Sequence, residues 1–207
     1  PFGRSLMARP VIHLIAAARP NFMKVAPLYH ALKATDWAQP MLVHTGQHYD
    51  EKMSGDFFRQ LGIPAPDVNL EVGSGTQAEQ TGTIMTRYEK LLLERKPALC
   101  LVVGDVTSTM ACSIAAQKLC VKVAHVEAGI RSGDWTMPEE INRIMCDHAS
   151  TLLFSPTKTG LQNLLNEGFK TDVSTQVSVD HPAVFHCGDV MFDNSLYFSE
   201  ISDKNSE

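Results

Sequence analysis

Three carboxylates, Asp105, Glu127 and Glu139, stand where a fold could bring them together. Carboxyl groups crowded into one site raise one another's proton affinity, which is what general acid–base chemistry exploits. Cations accompany them: Arg19 and Lys24 near the start, Arg131 four residues after Glu127, and Arg143 four after Glu139. An Arg closing a strand and a Lys one turn into the next helix would face an anion at a positive helix N-terminus. Gln47 and His48 form a polar pair after an apolar run. Gly104-Asp105-Val106-Thr107-Ser108-Thr109 joins a glycine, which lets backbone approach a ligand closely, to a carboxylate and three hydroxyls.

Several of these residues have a plainer use. Arg19 and Lys24 can be solvated charges. Asp105 or Thr107 can be a helix N-cap. Glu139 and Glu140, behind Pro138 at a helix's first position, suit the macrodipole with no further purpose. Capping explains one hydroxyl or carboxylate and leaves the rest of the 104–109 cluster without a reason.

The elements that must position these side chains read as strand then helix, repeated about seven times. Apolar runs lie at Val11–Ala17, Met41–Thr45, Leu99–Val103, Val121–Val126, Thr151–Phe154 and Val184–Cys187, with a weaker one at Val68–Leu70. Amphipathic stretches lie near Phe22–Lys33, Asp50–Leu61, Thr76–Glu94, Thr107–Leu119, Pro138–Ser150 and Thr157–Glu167. Gly62 and Gly168 mark helix ends, Thr157 a helix start, and Pro27 should kink the first helix or sit in its opening turns. Such alternation predicts an α/β fold, a Rossmann-like doubly wound parallel sheet covered on both faces. Arg19 follows the first strand, Gln47 and His48 the second, Asp105 the fourth and Glu127 the fifth. Ser155 and Thr157 follow the sixth, and Asp189 the seventh. In an open parallel sheet the strand carboxyl ends share one edge, so polar residues spread over 170 positions converge on a common rim.

Composition narrows the function classes. A net charge of −5 gives no basic footprint for nucleic acid. No apolar run approaches the ~20 residues that span a bilayer, so no membrane partner is expected. The five cysteines (Cys100, Cys112, Cys120, Cys146 and Cys187) form no C-x-x-C pair, and the eight histidines show no zinc spacing; no metal is expected. The absence of G-x-G-x-x-G after the first strand disfavours a dinucleotide. The reading is a cytoplasmic, soluble protein. Residues 1–10 are taken as an N-terminal extension, 11–198 as the domain with a helical end at Val190–Ser202, and 199–207 as a tail or the start of a linker.

The blocks from Ala18 to Pro27, Thr45-Gly46-Gln47-His48, Gly104 to Thr109, His125 to Arg131, Pro138 to Arg143 and Gly188 to Asn194 together resemble the non-hydrolysing UDP-N-acetylglucosamine 2-epimerase family, over about Val11 to Asn194. The resemblance implies the N-terminal half of a glycosyltransferase-B-like architecture, two Rossmann-like domains facing across a cleft that holds a UDP-sugar. It implies elimination of UDP to a 2-acetamidoglucal and re-addition on the other face to give UDP-N-acetylmannosamine, with no cofactor, in a homodimer. Asp105, Glu127 and Glu139 match the acid–base carboxylates. Arg19 and Lys24 match the diphosphate region, and Gln47, His48, Arg131 and Arg143 are further substrate-binding candidates. The second domain, with most uridine contacts and a catalytic His, is expected beyond this sequence. Ala17 replaces the family's usual Gly, and Asp50 replaces a Gln that serves a regulatory substrate site, so allosteric activation does not carry over. A hydrolysing 2-epimerase, an epimerase for a modified UDP-sugar and a non-catalytic Rossmann fragment are the other readings.

Overall fold

The computed structural model describes residues 9–17, 19–46, 58–172 and 176–205. Its labelled elements run β1 (Val11–Ala16), α1 (Arg19–Lys33), β2 (Gln39–His44), β3 (Val68–Asn69), α2 (Gln77–Glu94), β4 (Leu99–Val103), α3 (Thr107–Lys118), β5 (Val123–Val126), α4 (Pro138–His148), β6 (Leu152–Ser155), α5 (Lys158–Asn166), β7 (Ala183–His186) and α6 (Val190–Asn205). Of the helix expected over Asp50–Leu61, only residues 58–61 fall among the described ones, and they are helical.

The seven strands form one parallel sheet in the order β3-β2-β1-β4-β5-β6-β7. Alternation along the strands sorts their side chains into two cores. Ile12, Leu14, Ala16, Leu42, Leu101, Val103, Ala124 and Val126 pack on one face with Phe22, Val25 and Tyr29 of α1. Ile15, Val43, Cys100, Val102 and Val123 pack on the other with Ile84, Tyr88, Leu91 and Leu92 of α2 and Ala111, Cys112 and Ala115 of α3. Burial on both faces is why the strands read as near-continuous apolar runs.

Helix ends follow the chemistry of their residues. Thr76 and Glu79 form a reciprocal capping box on α2, and Thr157 caps α5 through Gly160 N. Gly62 and Gly168 take φ of +65° and +94°. Pro27 lies well inside α1 rather than in its first turn. The end of the chain, read as a tail from Ser199, is helical as far as Asn205.

The order reverses between β1 and β4, whose neighbours on the far sides are β2 and β5. That is the switch point at which an open sheet offers a crevice beyond its strand ends.

Candidate active site

The turn after β4 is the hub. Gly104 has φ +74°, and its N–H donates to the Val126 carbonyl at 3.0 Å, tying the ends of β4 and β5 together. A Cβ at Gly104 would stand 3.0 Å from Glu127 Oε2 and 3.4 Å from Lys24 Nζ. A side chain there would touch Lys24 and press the Glu127 carboxylate aside by a few tenths of an ångström, and the positive φ itself favours glycine.

Lys24, from α1, donates to Glu127 Oε2 at 2.6 Å; both side chains are partly open to solvent. Glu127 itself takes φ +74°, a left-handed conformation that costs a non-glycine residue about 1–3 kcal/mol and is found where structure over-determines it. Its N–H and that of Ala128 both donate to the Phe154 carbonyl. Asn21 anchors the first turn, accepting from Ala17 N at 3.1 Å and donating to the Val103 carbonyl at 2.9 Å. On the β2 side, Gly46 comes so close that a Cβ would lie 2.6 Å from the Ala17 carbonyl.

Asp105 is held from α4. Asn142 Nδ2 donates to its carbonyl at 2.8 Å, and Arg143 donates to its carboxylate at 2.5 Å. Neither Asp105 nor Thr107 caps α3: the N-cap is Val106, with no side-chain cap bond, and the first turn carries no acid. The capping alternative is therefore removed, and no N-cap side chain closes the positive end of α3, where the Thr109 N–H turns back to the Val106 carbonyl at 2.9 Å. Ser108 is instead buried against Thr45, Oγ to Oγ1 at 2.6 Å.

Glu139 and Glu140 part company. Glu140 is 1% exposed, accepting from Ser132 N and Gly133 N at 2.9 Å each and from Arg143 at 3.1 Å. Burial would raise its pKa, but these bonds more than reverse that and hold it below the usual carboxylate range. Glu139 is exposed and makes no hydrogen bond or ion pair among the described residues. It lies four residues before Arg143, on the same helix face as the group that grips Asp105.

The candidates thus divide. Lys24, Asp105, Glu127 and Arg143 come together at the ends of β4 and β5, with Glu139 one turn away on α4. Arg19 opens α1 at the end of β1, with its side chain outside the described part, and Gln47 and His48 lie outside the described residues. Arg131 is directed elsewhere: its guanidinium pairs with Glu167 at 2.7 Å and with Asp147 at 2.8 Å. A cavity of about 520 Å³, lined by His148, Glu167, Phe169, Asp172, His181 and Pro182, lies on that side and touches neither Asp105 nor Glu127.

Sequence reasoning gave no site role to Asn21, Asn142, Glu140, Asp147 or Glu167. The signal for Glu140 was its place beside Pro138-Glu139; for Asp147 and Glu167 there was none, since a carboxylate on an amphipathic helix looks solvated. No group of three or more His, Cys, Asp or Glu side chains suited to a metal occurs among the described residues. No helix there is long and apolar enough to cross a membrane.

The chain is similar in sequence and fold to known proteins. The family model described as UDP-N-acetylglucosamine 2-epimerase matches residues 30–207. A UDP-N-acetylglucosamine 2-epimerase homolog of Methanococcus maripaludis is 44% identical over 93% of this chain and 50% of its own length. A UDP-2,3-diacetamido-2,3-dideoxy-D-glucuronate 2-epimerase of Pseudomonas aeruginosa is 44% identical over 90% of the chain and 50% of its length. The crystal structure of Methanocaldococcus jannaschii UDP-GlcNAc 2-epimerase in complex with UDP-GlcNAc and UDP superposes with a TM-score of 0.83, at 40% identity, covering 94% of this chain and 51% of that one. The chain spans about half the length of the curated relatives it matches. With a parallel sheet, a polar cluster at its switch point and this extent of similarity, the chain belongs to the UDP-N-acetylglucosamine 2-epimerase family.

Proposed function

We propose that this chain supplies one wall of a UDP-N-acetylglucosamine 2-epimerase, interconverting UDP-N-acetylglucosamine and UDP-N-acetylmannosamine. The C1–O bond to UDP breaks as the C2 proton leaves, giving 2-acetamidoglucal and UDP. UDP then re-adds at C1 while a proton returns to the other face of C2. The observation that carries the reading is the pairing of two sheet-edge carboxylates with cations: Glu127 with Lys24, and Asp105 with Arg143. An incoming diphosphate competes for both cations, helped by the uncapped N-terminus of α3, and releases the carboxylates to move protons around C2 and the leaving oxygen.

In this reading Asp105, Glu127 and Glu139 are the acid–base groups, and Arg19, Lys24 and Arg143 meet the diphosphate. Gln47 and His48, which follow β2 in sequence, are further substrate contacts. Arg131 serves by holding the turn after Glu127 rather than by touching substrate. We assign the protein to the cytoplasm and to a homodimer; the outward apolar stripe of Met137, at the N-cap of α4, with Ile141 and Met145 supports a partner surface. This wall alone positions too little of a UDP-sugar to turn it over.

A second reading, a 2-epimerase for a modified UDP-sugar, is favoured by the Pseudomonas aeruginosa relative, whose identity equals that of the Methanococcus maripaludis homolog. The test is proton NMR of UDP-N-acetylglucosamine in deuterated water with the full-length protein, in chelator and without nicotinamide. Deuterium at C2 with a manno product supports the proposal. Turnover confined to UDP-2,3-diacetamido-2,3-dideoxy-glucuronate moves it to the second reading, free N-acetylmannosamine to a hydrolysing enzyme, and dependence on a divalent ion overturns the cofactor-free chemistry.

A further inference from the structure

Behind the carboxylates lies a buried polar residue that the mechanism above does not use. His125, in β5, is fully buried. Its Nε2 is 2.8 Å from the Gly104 carbonyl, and its Nδ1 is 2.6 Å from Asp147 Oδ1. Both neighbours are acceptors only: a carbonyl, and a carboxylate kept ionised by Arg131 and by the Gly129 N–H at 3.0 Å on its other oxygen. A neutral imidazole has one N–H, so either tautomer would leave a ring lone pair facing an oxygen lone pair. The doubly protonated ring satisfies both contacts. It also balances charge, since Asp147 and Glu167 then stand against His125 and Arg131. Cys146 beside the ring is bonded to Ser113 at 3.1 Å.

We propose that His125 is a positioning residue, an imidazolium that fixes the two turns carrying the reacting carboxylates. It grips the carbonyl of Gly104, which precedes Asp105. Through Asp147 it grips the N–H of Gly129, two residues after Glu127. Both glycines take positive φ, +74° and +80°, and Glu127 shares that region without being a glycine. Three left-handed residues in two short turns need an external hold, and His125 with Asp147 supplies it for both at once. Gly129 has little room to move: a Cβ there would lie 2.2 Å from the Gly160 carbonyl of α5. Burial works against a charge on His125, yet Cys146 and the Asp147 carboxylate outweigh it and hold its pKa well above the ordinary imidazole value.

The inference rests on the 2-epimerase reading for its consequence, not for its geometry, and the test separates the two. In full-length protein labelled with ¹⁵N-histidine, the resonances lost in His125→Gln should show two N–H protons in the wild type from pH 6 to 9. A single protonated nitrogen overturns the imidazolium. In kinetics, His125→Gln and the isosteric Asp147→Asn should lower kcat by about 10- to 100-fold, the scale on which outer partners of a functional group act. KM and UDP affinity should change little, with folding at the assay temperature checked by circular dichroism. A brace for stability alone would lower Tm and leave kcat of the folded protein intact, and that result overturns the positioning role. If His125→Gln does not fold, Asp147→Asn and the wild-type spectrum still decide. A wild type with no 2-epimerase activity overturns the functional reading and with it the positioning consequence, while the two N–H signals report the geometry independently.

Discussion

Lys24 and Glu127, 103 residues apart in sequence, meet at 2.6 Å directly over Gly104. The glycine is the floor of the pair: a methyl group there would reach within 3.0 Å of the carboxylate. Gly104→Ala is therefore expected to act twice. A left-handed alanine costs about 1–2 kcal/mol, and the displaced Glu127 loses its alignment, which lowers kcat by about 100-fold. Denaturant titration and steady-state kinetics of the full-length protein read the two effects separately. Full activity with only a stability loss would show that Glu127 does not depend on this floor.

The pairing itself was not legible in the sequence, but the strands that bring it together were. The seven strands announced themselves because a sheet buried on both faces leaves no polar alternation to blur the runs, and parallel connection then sends every strand end to one rim. Register was not legible. β2 begins at Gln39, with Pro40 opposite Ile12, two residues before its apolar run. The inner support of the site was hidden for a related reason. On α4 the usual amphipathic logic is inverted: Glu140, Asn142, Cys146 and Asp147 are buried, whereas Ile141, Met145 and the N-cap Met137 are 36–40% exposed. A pattern argument turns the apolar stripe inward and so looks for the supports of Asp105 and Gly129 on the wrong face.

Glu139 and Glu140 should separate chemistry from architecture. Glu139 is exposed, so Glu139→Gln is expected to leave stability within about 0.5 kcal/mol and to cut turnover by about 10²–10⁴-fold. Glu140 is buried and holds two backbone N–H groups and Arg143. Glu140→Gln keeps one accepting oxygen but turns an NH2 toward the other donors and removes the charge opposite Arg143, and should cost about 2–4 kcal/mol in urea unfolding. Equal stability losses for the two variants would refute the division.

The chain of 207 residues, expressed alone, should bind UDP weakly and produce no 2-acetamidoglucal or epimer. The cations and carboxylates described here lie on one sheet edge, and much of the rate in such clefts comes from positioning and water exclusion by an opposing wall. Calorimetry with UDP and an NMR product assay check both halves of the statement. Turnover by this chain at the full-length rate would show that the second wall is dispensable.

Acid stability should report a different part of the core. His13 is fully buried in β1, with Nδ1 3.2 Å from the Tyr88 hydroxyl and Nε2 without a hydrogen-bond partner among the described residues. Burial first, and the charge of Arg95 second, push its pKa down from 6.5 to about 4. A histidine whose folded value lies below its unfolded one contributes stability that is complete above pH 6.5. As pH falls, the unfolded chain takes up a proton that the folded one refuses, so stability declines from 6.5 toward 4, in total by on the order of 3 kcal/mol. His44, also buried and lowered chiefly by desolvation, adds to the same limb. His125, raised rather than lowered, contributes stability that is lost only on the alkaline side. The carboxylates of Asp147 and Glu140, held below their usual range, act at still lower pH than His13 begins to. His13→Asn retains a partner for Tyr88 but no longer titrates, so its urea-derived stability between pH 6.5 and 4.5 should fall less steeply than the wild type's, by up to about 1.4 kcal/mol per pH unit. Parallel curves for the two proteins across that window would mean that His13 is not the buried base that the core excludes from protonation.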